Sequence, residues 1–394
     1  MRRRWIFSLL VFLPIFALAQ TGNLVPYRLQ HTDRIIVDKM DEEYVTTLSG
    51  NVHFFYGRIE FRADEAIIYE KQNYARMTGH VSATNDTIYI DTDSAVYYRT
   101  TAELYADGHI KATRDTLLFT GDHAIYYRNQ DRLLVNSNAV YTESHADSTK
   151  RVVLADKVDY HRREEKVTAE GNVRAHDERE KMRGTCGYLE YDLAKGYGYL
   201  IREPKAWLEG KDSLFIEADK IEYFRDDNKL VANFDVSTWN KDFHSHSDFL
   251  MYFLKAGEAV FLGQPEFHLD QADAWAREFH VFFTDRKISG ANLSDSCRAV
   301  FASEEGGVKQ NRIHSDRMQL EFTEGKLRHC TATGNVDSHV RQDRKGKREY
   351  MDNRTKGNSM EIFLDDQSEV EQIIVRDKVT GTHQFEQDRK KSQK

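Results

Sequence analysis

Acids, imidazoles and phenols recur along this chain at spacings that invite chemistry. Asp64, Asp93, Asp122, Asp156, Asp219 and Asp248 each open a five-residue box, Asp-x-apolar-x-Tyr/apolar. A ladder of carboxylates suggests bond cleavage, but that needs two carboxyls in different environments facing one bond. An aspartate repeated at a strand entry instead reads as a turn residue bonding its own backbone. His244-x-His246-x-Asp248 offers three metal-type ligands. Because the box marks a strand start, a solvated turn is expected there, and no metal. No nucleophile elbow, P-loop, GxGxxG or HExxH is present, so neither catalytic residues nor a cofactor are expected. The fifth box position carries Ile68, Tyr97, Tyr126, Tyr160, Tyr191, Tyr223 and Tyr252. Tyrosine has an apolar body and a hydroxyl that wants a partner. Such a row either fills a core or lines a groove for an amphipathic guest.

The elements that position these residues follow from the repeat itself. Box starts at 64, 93, 122, 156, 187, 219 and 248 are spaced by 29, 29, 34, 31, 32 and 29 residues. A period of about 30 residues marks a stacked repeat. Weaker copies begin at Arg277, Asp316 and Asn358, and an earlier one at Asp33. Each box is followed by a polar turn (70–73, 128–131, 161–165, 225–228) and then a strand ending in Gly-x-Val, as in LSGNV, MTGHV and AEGNV. Two strand signals around a short polar turn read as a hairpin. The expected unit is therefore β-turn-β.

Side chains alternate across a strand, so the third and fifth box positions share the inner face. With the row above, Ala95, Ala124, Val158, Leu189, Ile221 and Leu250 complete the candidate interior. The fourth position faces out. It is acidic at Asp159, Glu190 and Glu222 but apolar at Ile67, Val96 and Ile125, where an exposed stripe predicts a covering partner or segment. Stacked units build an all-β, elongated, two-walled sheet around one apolar interior that no single unit could bury.

Composition narrows the function classes. Arg2–Arg4, the apolar run 5–16 and Ala17-Leu18-Ala19 form a cleavable secretory leader, residues 1–19. Removing it leaves 53 Lys+Arg (56 less three) against 64 Asp+Glu, a net charge of −11. An acidic exported chain does not suit nucleic acid, which calls for a basic footprint. Cys186, Cys297 and Cys330 are too few and too far apart for a disulfide framework or a zinc site, though one pair could bond. The run 341–357 holds seven Lys/Arg against three Asp/Glu. It could meet phosphates of a lipid head or an anionic partner, or be a solvated excursion like 303–310.

At the repeated boxes ADEAIIYE, TDSAVYYR, GDHAIYYR and ADKVDYHR, each followed by a Gly-Asn-Val-type strand, the chain resembles the OstA-like family of periplasmic lipopolysaccharide-export proteins. The resemblance covers roughly residues 33–340. It implies a twisted β-jellyroll, or β-taco, with a groove for the acyl chains of lipid A and no covalent chemistry. It also implies end-to-end assembly, by strand addition, with jellyroll proteins at the inner and outer membranes, or with copies of itself. The expected divisions are the leader (1–19), regular repeats (33–260), an irregular continuation (261–376) and a polar tail (377–394). A periplasmic lipid carrier serving outer-membrane assembly is the expectation. A surface β-solenoid with a solid interior and a glycan-acting enzyme with clustered outward acids are the alternatives.

Overall fold

Residues 26–210, 212–302, 308–343, 350–365 and 370–386 are described by the structure, a computed structural model. The leader and residues 387–394 lie outside the described residues. Strands dominate, and the one helical element among the described residues is the 3-10 turn Arg162–Glu164. No described helix is long and apolar enough to cross a membrane.

The polar turns act as their composition dictates. Residues 70–73 join Ile59–Tyr69 to Tyr74–Thr84, and residues 128–131 join Leu117–Tyr127 to Arg132–Ser144. Successive strands pair antiparallel in a long meander running from Tyr27–His31 to Thr380–Glu386.

The meander folds over along a crease built from the repeat's own residues. In Glu43–Tyr56 the ladder skips from Ser49↔Glu65 to Val52↔Ala63, so Gly50 and Asn51 stand opposite Asp64 alone. Both have positive φ, 80° and 47°. The same pair of left-handed residues recurs at Gly79–His80, Gly108–His109, Ser137–Asn138, Gly171–Asn172, Arg202–Glu203, Gly334–Asn335 and Asp377–Lys378. Two residues opposing one is a β-bulge, which bends the strand.

The box aspartate locks the bulge of the following strand. Asp64 Oδ2 lies 2.8 Å from His80 Nδ1, Asp93 Oδ2 lies 2.7 Å from His109 Nδ1, and Asp156 Oδ2 accepts from Asn172 Nδ2 at 2.8 Å. At Gly79 (φ 75°) an added Cβ would collide with Asp64 Oδ2, so both conformation and space require glycine there. The expected turn role is thereby corrected for Asp64, Asp93, Asp122, Asp156 and Asp248, whereas Asp219 does sit in a bend before Lys220–Phe224. Asp64 is the sixth residue of Ile59–Tyr69, and it holds the corner in mid-strand.

Each long strand thus crosses from one wall to the other, whereas short strands such as Tyr197–Ile201 and Lys205–Leu208 each pair with one half of a long neighbour. Box residues and the turns after them form the box wall, and the remaining halves form the opposing wall. The walls face each other through side chains: Tyr97 of the box wall packs on Phe61 and Tyr56 of the opposing wall, with centroids 5.1 and 5.8 Å apart. Two apolar clusters fill the interior, one from Leu48 to Tyr191 and one from Ala206 to Ile362. The fold is the expected all-β jellyroll.

Several local expectations change. His244, His246 and Asp248 sit on the exposed side of the strand Phe243–Phe253, not in a turn, because the bulge carries the strand through the box. Among the described residues, no group of three or more potential ligands is placed to hold a metal. Of the basic run, 341–343 and 350–357 lie in the strands Lys326–Asp343 and Tyr350–Leu364, which pair from His329↔Phe363 to Asp343↔Tyr350, and 344–349 lie outside the described residues. The wide spacing there reflects longer strands of 15–18 residues. Thr380–Glu386, assigned to a polar tail, pairs with Tyr350–Lys356. Asp159 faces outward as expected but is buried, clamped by Arg132 at 2.8 and 2.6 Å.

Candidate functional site

The interior is the site, and the repeat builds it. Ile68, Ala95, Tyr97, Ala124, Tyr126, Val158, Tyr160, Leu189, Tyr191, Ile221, Tyr223, Leu250 and Tyr252 are all buried. Phe54, Phe61, Phe119, Tyr141, Phe261 and Phe279 meet them as the largest fully buried side chains. These six come from both halves of the strands, and their alternation with polar neighbours is the sequence signal that identifies them.

The tyrosines of the fifth box position point toward the lips, where the walls end in turns. Two of their hydroxyls find partners across the mouth. Tyr126 accepts from Asn85 Nδ2 at 3.0 Å, and Tyr160 accepts from Arg114 Nη1 at 2.7 Å. Burial pushes the Tyr126 and Tyr160 phenols above their ordinary pKa. Both stay neutral at physiological pH, as a hydroxyl at an apolar mouth must.

Packing loosens where the two clusters meet. A cavity of about 70 Å³ lies between Val153, Ala175, Met182 and Ala206 of the opposing wall and Val167, Leu189, Leu200, Ile221 and Leu230 of the box wall. Its lining is overwhelmingly apolar, and it has room for several groups of water size, each needing about 10–15 Å³ of such space. Of the candidate interior residues, Leu189, Tyr191, Ile221 and Tyr223 line this cavity. The other nine pack in the clusters on either side.

A buried arginine is among the charged residues that line the cavity. Arg151 is buried and donates to Asp177 Oδ2 from Nε (2.9 Å) and Nη2 (2.7 Å), and to Glu143 Oε2 from Nη1 (2.9 Å). The three residues are cross-strand neighbours, Glu143↔Arg151↔Asp177. From the box wall, the Tyr191 and Tyr223 rings lie 4.6 and 5.9 Å from the guanidinium carbon. Burial opposes the charge, but Tyr191, Asp177 and Glu143 outweigh it and hold the pKa above the ordinary arginine value. The Tyr223 hydroxyl is buried without a hydrogen-bond partner among the described residues. Sequence reasoning passed over Arg151 and Asp177, although their parity with Val153 and with Val173 and Ala175 marks both as inward.

The outward acids are engaged individually. Glu190 pairs with Lys166 at 3.1 Å and accepts from Tyr188 and Tyr199, both at 3.1 Å. Glu222 pairs with Lys220 at 2.7 Å and accepts from Tyr197 at 2.5 Å. Burial opposes ionisation of both, yet these partners hold both pKa values below the ordinary glutamate range. Ile67, Val96 and Ile125 remain half-buried on the outer face. Cys186, Cys297 and Cys330 are free and buried, and burial pushes their thiols up to about 11, 11 and 12.

A folded-over antiparallel sheet with an apolar interior defines the class, a β-jellyroll. Residues 36–229 match the family described as LptA/(LptD N-terminal domain) LPS transport protein. Over that region, just under half of the chain, it is similar to the OstA-like lipopolysaccharide-transport family, as its boxes suggested. Among solved structures it is similar to LptH from Pseudomonas aeruginosa, described as the LptA homologous periplasmic component of the conserved lipopolysaccharide transport device. That likeness has 14% identity and a TM-score of 0.22, and covers 36% of this chain and 82% of LptH. No curated protein matches the chain.

Proposed function

We propose that this protein is a non-enzymatic carrier that shelters the acyl chains of lipopolysaccharide between its two walls during transit through the periplasm to the outer membrane. The observation that carries this proposal is the apolar interior spanning both clusters, with a cavity where they meet. Leaving acyl chains in water costs about 0.8 kcal/mol per CH₂, so a continuous apolar trough lets the lipid advance under cover. Similar repeats offer similar successive sites. Glycan cleavage is disfavoured because Glu190 and Glu222 are both held ionised, whereas a carboxyl pair needs one member protonated.

The ends suit assembly with jellyroll partners at either membrane, or with further copies of the chain. Among the described residues, Tyr27–His31 and Arg34–Met40 pair on one side only, with Glu43–Tyr56, and Val370–Arg376 and Thr380–Glu386 only with Tyr350–Leu364. Ile35, Val37 and Met40 are exposed at the first edge. An unpaired edge binds another strand through its main chain. Light scattering across a concentration series, with and without envelope extract, tests this. A chain that remains monomeric and partnerless in both refutes end-to-end assembly.

The carrier role is tested by photo-crosslinkers in cells. Crosslinkers at Tyr126, Val158, Ala175 and Ile221 should capture lipopolysaccharide, and one at the exposed Arg174 should not. Equal capture at Ala175 and Arg174, or none at any position, refutes it.

A further inference from the structure

A second, polar cleft of about 290 Å³ opens between the lips, where the turn at 178–181 of the opposing wall meets the box-wall turns at 254–257 and 285–286. Its floor includes Leu208, Tyr252 and Phe283, all members of the second apolar cluster, so the cleft adjoins the interior. Four cations line it, Arg179, Lys181, Lys255 and Arg286, against two acids, Glu180 and Asp285.

Arg286 is the least compensated of the four. Its guanidinium lies against Gly210, where an added Cβ would come 3.1 Å from Arg286 Cδ. Its Nη1 is buried without a hydrogen-bond partner among the described residues. Neither Arg286 nor Lys181 nor Lys255 joins an ion pair among the described residues. The nearby Glu209 is engaged by Arg183 at 2.5 Å and His176 at 3.3 Å. Burial consequently pulls the Arg286 pKa below the ordinary value despite Tyr252 and Glu209. A buried donor on a charged group is costly to leave unmade.

The backbone adds an independent sign. Asp285 and Arg286 form a two-residue hairpin loop between Thr284 and Lys287, with φ of 50° and 67°. Hairpin loops with positive φ at both positions favour glycine at the second. The next box-wall turn follows that preference with Glu324–Gly325 (φ 53° and 81°). Arg286 therefore holds a strained position that glycine would hold more comfortably, and such strain concentrates at functional sites.

We propose that this cleft binds a phosphate group through Arg286, flanked by Lys181 and Lys255, and that the phosphate belongs to a lipid whose chain enters the adjoining interior. The lipid assignment rests on the carrier role, whereas the anion site does not. Titration calorimetry on the full-length mature chain tests both with three probes: inorganic phosphate, lauroyl lysophosphatidate and monolaurin. Lysophosphatidate should bind at least about tenfold more tightly than monolaurin, as expected for a charge-assisted contact. Arg286→Gly should erase that difference while raising the melting temperature, because it relieves the turn. Arg286→Gln, which keeps the backbone strain, should erase it without the rise.

Inorganic phosphate that binds the native chain but not Arg286→Gln, with lysophosphatidate no tighter than monolaurin, would overturn the lipid assignment and leave a free-anion site. Lysophosphatidate affinity unchanged in both variants would overturn the site altogether. Failure of both lipids to bind, with phosphate binding intact, would refute the carrier role and the lipid assignment that rests on it, and leave the anion site standing.

Discussion

The Asn85 side-chain amide donates to the Tyr126 hydroxyl at 3.0 Å, while its Oδ1 accepts from the backbone N–H of Thr87 and Ile88 at 2.8 and 2.9 Å. One residue thus shapes a turn on the opposing wall and clasps the box wall across the mouth. Removing the hydroxyl with Tyr126→Phe should cost about 1 kcal/mol of stability, the worth of one part-buried hydrogen bond. It should also ease lipid entry at that repeat. Urea unfolding and crosslinking yield at Val158 measure the two effects, which should move in opposite directions.

The crease gives a paired prediction. Gly79→Ala should destabilise the fold by about 2 kcal/mol or more, because the position is left-handed and Asp64 already fills the space. Ser137 occupies the equivalent position with φ 60° and no glycine. Ser137→Gly should therefore stabilise by up to about 1 kcal/mol, read as opposite shifts of the melting temperature.

His80 and His109 are fully exposed, yet hydrogen bonds and charge from Asp64 and Asp93 raise both pKa values. A raised folded pKa means the stabilisation is fully present below the unfolded value of about 6.5. It is lost as pH rises through the folded value. Proton NMR should show His80 titrating above the ordinary histidine value, and Asp64→Asn should return it there. A His80 pKa indifferent to Asp64→Asn would show that the bulge lock is not electrostatic.

Arg151→Met should cost about 3–5 kcal/mol, because it strands the buried Asp177 carboxylate and the largely covered Glu143. Arg151→Met combined with Asp177→Leu and Glu143→Leu should recover most of that loss. Chemical denaturation of the single and triple variants decides it.

The sequence displayed the hairpin unit, the inward parity and the family because each is local. Parity at Val158 and Tyr160, for example, needs only two residues and a strand. The position of Asp64 was misjudged because a turn aspartate and a bulge aspartate share the same neighbours in sequence. They differ only in the Gly79–His80 pair 15 residues on, which supplies the partner. The cavity at residues 141–230 arises from residues brought together by stacking several repeats, and no single box carries that information. Arg286 was invisible for a related reason, since its significance depends on Gly210 and Lys181 from the other lip.

The crease also sets a ruler. Where the box opens with aspartate, as at Asp64, Asp93 and Asp156, that residue holds the bulge of the next strand. Such a repeat depends on its neighbours and not on the total number. Adding or removing one whole box-and-bulge unit leaves every remaining lock intact. Two strands at about 4.8 Å each change the end-to-end reach by about 10 Å per repeat. The length of the molecule can therefore be changed in fixed steps by repeat number, without redesigning the interior.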